Sequence, residues 1–280
     1  MTVISVKSTP VGDGLVLPYA EAGYPDGTPV VFVHGLSDSW WSFEPLLRRL
    51  PASLHGYAPT QRGHGDADRP PDGYTPEDFA SDLVAFLDAV GIDRALLVGS
   101  SSGGVQARIV AGSHPDRISG LVLLGVPATL ADKPAALRLR EAVDGFSGAV
   151  PRQFVEDLMA GTVADGVARG LIETMIDESL KVPARVWQET LRGLLESDLR
   201  ATLAGILVPT LVIWGDQDDI LPRSDQQVIL DAVFGSRLLV YEGASHVVHW
   251  EQPERVVADL VDFAARIAHQ GAAPFPNSGN

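Results

Sequence analysis

The chain has 280 residues, 45% apolar and 20% charged, a balance that belongs to a folded globular protein rather than a disordered or fibrous one. A formal net charge of −15 argues against nucleic acid or an anionic membrane surface as a partner, because such a field repels polyanions. With no cysteine, a disulfide framework, a thiolate metal site and a cysteine nucleophile are all excluded.

Met1 to Pro10 lacks the basic start and apolar run of a secretory signal, and no stretch approaches the roughly 18 apolar residues of a membrane span, so a cytoplasmic location is expected. Alternation from Val3 to Ser8, a Gly12-Asp13-Gly14 turn and the run Leu15 to Ala22 predict an antiparallel hairpin. Pro29 to Val33 is solidly apolar and suits a strand covered on both faces; similar runs recur at Ala95–Val98, Leu121–Leu124, Thr210–Trp214 and Leu238–Tyr241. Between them lie helical patterns. Thr75 reads as an N-cap with Pro76 at the first helical position, Phe79, Leu83, Phe86, Leu87 and Val90 share a face, and Gly91 closes the helix. Further helices are expected at Val105–Ala111, Ser224–Val233 and Pro253–Ala268.

Strands alternating with helices predict an α/β fold with a mostly parallel, doubly wound sheet. From Ala128 to about Arg200 the strand signal stops and the segment is amphipathic and helix-prone, as in Phe154, Val155 and Leu158. The expected organisation is therefore a core of residues 1–127 and 201–269, an inserted all-helical cap at 128–200 over the carboxyl edge of the sheet, and a flexible tail at 270–280.

Gly99-Ser100-Ser101-Ser102-Gly103, followed by Gly104, stands where an apolar strand ends and a helix begins. A nucleophile elbow needs that context, since the strained turn demands small neighbours and leaves the Ser101 hydroxyl exposed at the helix N-terminus. A serine hydroxyl is weak and needs a base. Of seven histidines, His246 lies just after the last strand, on a loop returning to the same sheet edge. His34 and His64 are expected to shape turns, His114 to end a helix, and His55 and His269 to be ordinary surface or strand positions; His249 is the close rival. A carboxylate must then hold the imidazole in one tautomer. Gly125-Val126-Pro127 offers none, whereas Gly215-Asp216-Gln217-Asp218-Asp219 offers three candidates, Asp216, Asp218 and Asp219. An oxyanion needs two backbone donors about 3 Å away. Ser102, directly after the nucleophile, and Leu36, in His34-Gly35-Leu36, are the expected ones.

These blocks, together with Gln61-Arg62-Gly63-His64-Gly65 and His246 through Trp250-Glu251-Gln252-Pro253-Glu254, resemble the α/β-hydrolase superfamily, in particular its bacterial esterases, lactonases and carbon-carbon hydrolases. The resemblance runs from about Val3 to Ala268 and is weakest in the cap. In such proteins the acid commonly sits three residues after the glycine ending its strand, which implies Asp218, and the order Ser, acid, His agrees. Relatives that open epoxides or remove halide use Asp where Ser101 stands. Ser100, Ser102 and Ser245 replace the His or Asn, Met and Gly common in relatives, which leaves the triad but alters the shape of the acyl pocket.

The resemblance implies hydrolysis of an ester or lactone of a small, partly apolar molecule through an acyl-enzyme. No metal and no organic cofactor is expected, since neither a ligand cluster nor a dinucleotide loop is evident. Trp40, Trp41 and Trp187 are expected to line the entrance. The alternatives are carbon-carbon bond hydrolysis, for which Arg185 would supply a cap arginine although Val247 replaces the usual Trp after the histidine, perhydrolase or haloperoxidase activity, and a small-molecule receptor.

Overall fold

The chain opens with β1 (Ile4–Val11) and β2 (Leu15–Gly23), paired antiparallel with Val11 opposite Leu15. The turn between them puts Gly12 and Gly14 at φ 48° and 96°, a region that residues with a Cβ rarely enter. The remaining strands are β3 (Thr28–Val33), β4 (Leu54–Pro59), β5 (Ala95–Ser100), β6 (Ile118–Leu124), β7 (Thr210–Gly215) and β8 (Arg237–Tyr241). In this computed structural model, which describes residues 2–164 and 166–271, they form one sheet in the order β1-β2-β4-β3-β5-β6-β7-β8. β2 meets β4 antiparallel, and every later pairing is parallel.

The helices are α1 (Glu44–Leu47), α2 (Pro76–Ala89), α3 (Ser102–Ser113), α4 (Pro134–Asp144), α5 (Arg152–Ala160), α6 (Arg169–Leu180), α7 (Ala184–Glu196), α8 (Arg223–Ala232), α9 (Val248–Glu251) and α10 (Pro253–Gly271). α2 begins with a reciprocal capping box between Thr75 and Asp78, and Gly91 follows it at φ 71°. The central strands are apolar on both faces because both faces are covered. Phe86, Leu83 and Val110 pack with Val31 and Leu97 on one side; Leu46, Leu47, Leu260 and Phe263 pack with Phe32 and Val98 on the other. This is the doubly wound, mostly parallel sheet expected from the sequence.

Helices α4 to α7 all fall between β6 and β7 and share a third apolar cluster around Trp187, Met175 and Val155, which reaches the core through Tyr74, Phe79, Val247 and Trp250. Arg108 of α3 ties both crossings to the sheet. Its guanidinium donates to Pro127 O at 2.7 Å and Ala128 O at 3.3 Å where the chain leaves, and to Leu199 O at 2.6 Å and Thr202 Oγ1 at 2.8 Å where it returns.

β4 is the strand that the sequence pattern does not announce. His55-Gly56-Tyr57-Ala58-Pro59 lacks both alternation and an apolar run, yet it lies between β2 and β3. Gly56 packs tightly there, since a Cβ would stand 2.4 Å from Leu50 Cδ1 and that side chain would have to shift. The tail expected from residue 270 lies, from residue 272 on, outside the described residues. Among the described residues no helix is long and apolar enough to cross a membrane.

Candidate active site

Ser101 sits between β5 and α3 at φ 51° and ψ −125°, a conformation that costs a non-glycine residue of order 1–3 kcal/mol. Its surroundings explain why the turn is held and why its neighbours are glycine. A Cβ on Gly99 would lie 2.4 Å from Gly104 Cα, and one on Gly103 would lie 2.2 Å from Val33 O and 2.3 Å from His34 O. Only bare backbone lets α3 approach β3 and β5 this closely. The Ser101 N–H donates to Leu124 O at 3.0 Å, and its hydroxyl makes no cap bond to the helix, so the side chain stands free in a cavity.

The loops after β7 and β8 bring the acid and the histidine together. Gly215 lets them touch, because a Cβ there would lie 2.2 Å from Ser245 O. Gln217 N–H donates to Ala244 O at 2.9 Å, and Asp216 Oδ1 accepts the Gly243 N–H at 2.8 Å. Asp218 is the buried member of the acidic triplet. Its Oδ1 accepts from the N–H groups of Ile220 and Leu221, both at 2.9 Å, and its Oδ2 lies 2.9 Å from His246 Nδ1. Asp216 and Asp219 are exposed. Gly125, at φ 52°, leaves room for the pair, since a Cβ would come within 3.0 Å of His246 O and 3.3 Å of Nδ1. Burial alone would lower the His246 pKa, but the charge and hydrogen bond of Asp218, with the charges of Asp38 and Glu251, carry it above the usual 6.5.

The other histidines do different things. His34 Nδ1 donates to Gly35 O at 2.8 Å and Nε2 accepts the Gln61 N–H at 3.0 Å; burial, with the charge of His64, pushes it down to about 3. His64 bonds Arg62 O at 2.8 Å and is pushed down by burial to about 4. His249 is buried against Phe43, with Nε2 3.1 Å from Ser42 Oγ, and does not face the cavity. Hence burial biases His34, His64 and His249 toward the neutral form, while Asp218 biases His246 toward holding a proton.

The cavity has two lobes that meet at Ser101. One, about 140 Å³, is lined by Ser101, His246, Ser37, Asp38, Trp250 and Met159 among others. The other, about 160 Å³, is lined by Ser101, Ser102, Leu130, Ala136, Leu191 and Leu194 among others. Leu36, Leu139, Leu158 and Ile220 border both. The N–H groups of Leu36 and Ser102 have no partner among the described residues, and both residues line the cavity with Ser101.

The tryptophans require a correction. Trp40 and Trp41 stack at 4.2 Å, Trp40 in the core beneath the sheet, and Trp187 is fully enclosed by the helices, edge-on to Phe154 at 6.0 Å. None of the three lines either lobe; aromatic area is spent here on packing. Arg185 is likewise elsewhere, donating to Pro70 O at 2.9 Å and Pro71 O at 2.7 Å. Trp250 and Asp38 do line the site, and sequence reasoning did not single them out as site residues. For Trp250 a signal existed, its place four residues after His246; for Asp38 there was none beyond closeness to Gly35.

The α/β-hydrolase-fold family model matches residues 28–253. A non-heme haloperoxidase of Rhodococcus erythropolis is 32% identical over 90% of this chain and 96% of its own. A 3-oxoadipate enol-lactonase of Acinetobacter baylyi is 25% identical over 91% and 95%. Among solved structures, an enol-lactonase from Burkholderia xenovorans superposes with a TM-score of 0.84 at 22% identity, covering 92% of this chain and all of the other. The sheet order, the strained serine turn and these matches agree that the chain belongs to the α/β-hydrolase family.

Proposed function

We propose that this protein is a serine hydrolase acting on an ester or lactone of a small, partly apolar substrate, with Ser101 as nucleophile, His246 as base and Asp218 as the carboxylate that orients it. The observation that carries the reading is the cavity shared by a strained Ser101 and an imidazole whose Nδ1 is held by Asp218 at 2.9 Å. With Nδ1–H committed to Asp218, the free nitrogen is Nε2, which takes the Ser101 proton as the oxygen attacks the carbonyl carbon. The N–H groups of Leu36 and Ser102 receive the developing oxyanion. His246 then passes the proton to the leaving oxygen, and water, deprotonated by the same imidazole, releases the acyl group from Ser101.

Helices α4 to α7 serve in this reading as the cap, since Leu139, Leu158 and Met159 border the lobe that holds His246. They exclude water from one side of the reacting carbonyl and set which acyl and alcohol groups fit. The test is to label the protein with a serine-directed phosphonate, map the adduct, and measure p-nitrophenyl butyrate turnover. An adduct on Ser101, with turnover abolished in Ser101→Ala while the fold survives, is the expected result. Wild-type-like turnover in that variant removes Ser101 from the mechanism.

The 32% identity to a haloperoxidase favours one second reading. Hydrogen peroxide in place of water would attack the same acyl-enzyme, giving a peracid and free Ser101. Bromination dependent on acetate, peroxide and bromide, and lost in Ser101→Ala, is its signature.

A further inference from the structure

Asp38 is a carboxyl group inside the cavity that the proton path through Ser101, His246 and Asp218 does not use. It is held on the loop after β3, where its N–H closes a turn onto Gly35 O and where Ser37 takes φ 63°. A Cβ on Gly35 would lie 3.3 Å from Ser101 Cβ and 3.5 Å from Asp38 Oδ2, so the carboxyl and Ser101 both pack against the bare face of Gly35, close to one another. Asp38 and His246 line the same lobe.

The bonds behind Asp38 determine which oxygen it offers. Ser42 Oγ donates to Asp38 Oδ2 at 3.0 Å. A hydroxyl has one proton, so the contact of Ser42 Oγ with His249 Nε2 at 3.1 Å requires that nitrogen to carry its hydrogen and donate. The Trp250 Nε1–H donates to Ser42 O at 2.8 Å and also approaches Ser42 Oγ at 3.2 Å. His249 Nδ1 is then the bare nitrogen, in keeping with its having no partner. Asp38 Oδ2 is thus committed as an acceptor from Ser42, while Oδ1 has no side-chain partner among the described residues and belongs to a residue that lines the cavity. Burial pushes the carboxyl up to about 7 against the Ser42 hydrogen bond, the His246 charge and a backbone hydrogen bond from Gly35, so near neutrality the carboxyl can accept or donate.

The two lobes assign the arms of a substrate. The leaving oxygen must receive its proton from His246, which lines the Asp38 lobe and not the other. The acyl arm therefore occupies the apolar lobe of about 160 Å³, a size comparable to an engineered cavity that admits benzene. We propose, building on the serine-hydrolase reading, that Asp38 is a substrate-recognition residue whose Oδ1 hydrogen-bonds a hydroxyl on the alcohol arm, making the preferred substrate an apolar acyl ester of a hydroxylated alcohol. A hydroxyl suits either protonation state of Asp38. An ammonium suits only the carboxylate and would meet the imidazolium that His246 becomes during turnover.

The test compares 2-hydroxyethyl hexanoate with propyl hexanoate, which differ by hydroxyl against methyl, through the ratio of their kcat/KM values at pH 8. A site that must satisfy a polar group rejects the analogue lacking it, so wild type should favour the hydroxyethyl ester by roughly 10-fold or more. Asp38→Leu should abolish or invert the ratio and Asp38→Asn should retain part of it. A wild-type ratio near one, or the same preference in Asp38→Leu, overturns the role of Asp38 while the hydrolase reading stands. If neither ester turns over but phosphonate labels Ser101, the substrate class falls and the nucleophile survives. If Ser101 is not labelled either, both fall.

Discussion

Replacing Arg108 by Met tests whether the helical insertion is anchored to the sheet by one buried cation. Met keeps most of the side-chain volume and removes every donor, so the carbonyls of Pro127, Ala128 and Leu199 and the Thr202 hydroxyl lose four hydrogen bonds. Bonds from a charged donor contribute about 1.5–3 kcal/mol each, and buried acceptors left unpaired cost about 1–3 kcal/mol apiece. Against this, the cation is fully buried, and burial pulls its pKa down to about 9, tempered by the charge of Asp225. It remains charged at pH 7, and relief of its desolvation returns several kcal/mol. The four bonds sum to about 6–12 kcal/mol before that relief, so the net is a loss of at least about 3 kcal/mol, which for a chain of this size lowers Tm by at least about 6 °C. Circular dichroism melts read the shift, with Arg108→Lys falling between because an ammonium cannot span both crossings. Limited proteolysis should cut the 128–200 segment sooner in the Met variant. A Tm within about 2 °C of wild type and unchanged proteolysis would refute the anchoring argument.

Other outcomes follow from the site. Asp218→Asn should lower kcat by on the order of 10⁴ because the amide favours the wrong imidazole tautomer, whereas Asp219→Asn, at an exposed position, should leave kcat within about threefold; p-nitrophenyl ester kinetics distinguish them, and an inverted pattern would reassign the acid. His246 must be neutral to act as base and its pKa lies above 6.5, so kcat/KM should fall on acidification with a midpoint above 6.5. Asp38→Asn removes a charge that raises that pKa and should move the limb to lower pH. The same shift stabilises the fold below the unfolded pKa of about 6.5, and that contribution fades as pH rises through the folded pKa. Gly104→Ala would place a Cβ 2.1 Å from Val126 Cγ2 and should cost about 1–3 kcal/mol; Val126→Ala should recover part of it, giving a favourable coupling in a denaturant-melt cycle.

The parallel strands were legible because burial on both faces imposes a signature that composition alone carries: Val30, Val31 and Phe32 are all fully buried, as are Leu96 to Val98. β4 was not, since its place is fixed by neighbours. His55 pairs with Glu21 at 2.9 Å across β2, and Gly56 yields to Leu50 and Leu47; neither choice shows periodicity. Ser101 was readable because a strained turn excludes large residues locally. Among Asp216, Asp218 and Asp219 the residues alone left three options and the resemblance chose one; burial separates them, and burial depends on a loop from another strand. Asp38 was illegible for the same reason. Its meaning lies in Ser42, His249 and Ser101, on three different elements.

The division of labour in the site follows from where its parts are attached. Ser101, Asp218 and His246 hang from the ends of β5, β7 and β8, whose spacing is set by the sheet ladder and cannot drift independently. Leu139, Leu158, Leu191 and Leu194, which bound the lobes, belong to α4, α5 and α7 and can change without touching that ladder. A fold built this way can exchange substrates while keeping one proton path, which fits relatives of such different names at similar coverage. Asp38 couples the two halves: it stands on a core loop, it lines the lobe that holds His246, and its charge raises the His246 pKa. A substrate hydroxyl that stabilises the Asp38 carboxylate would therefore strengthen the base's hold on its proton during acylation, so recognition on this lobe and the acidic limb of the rate should shift together rather than separately.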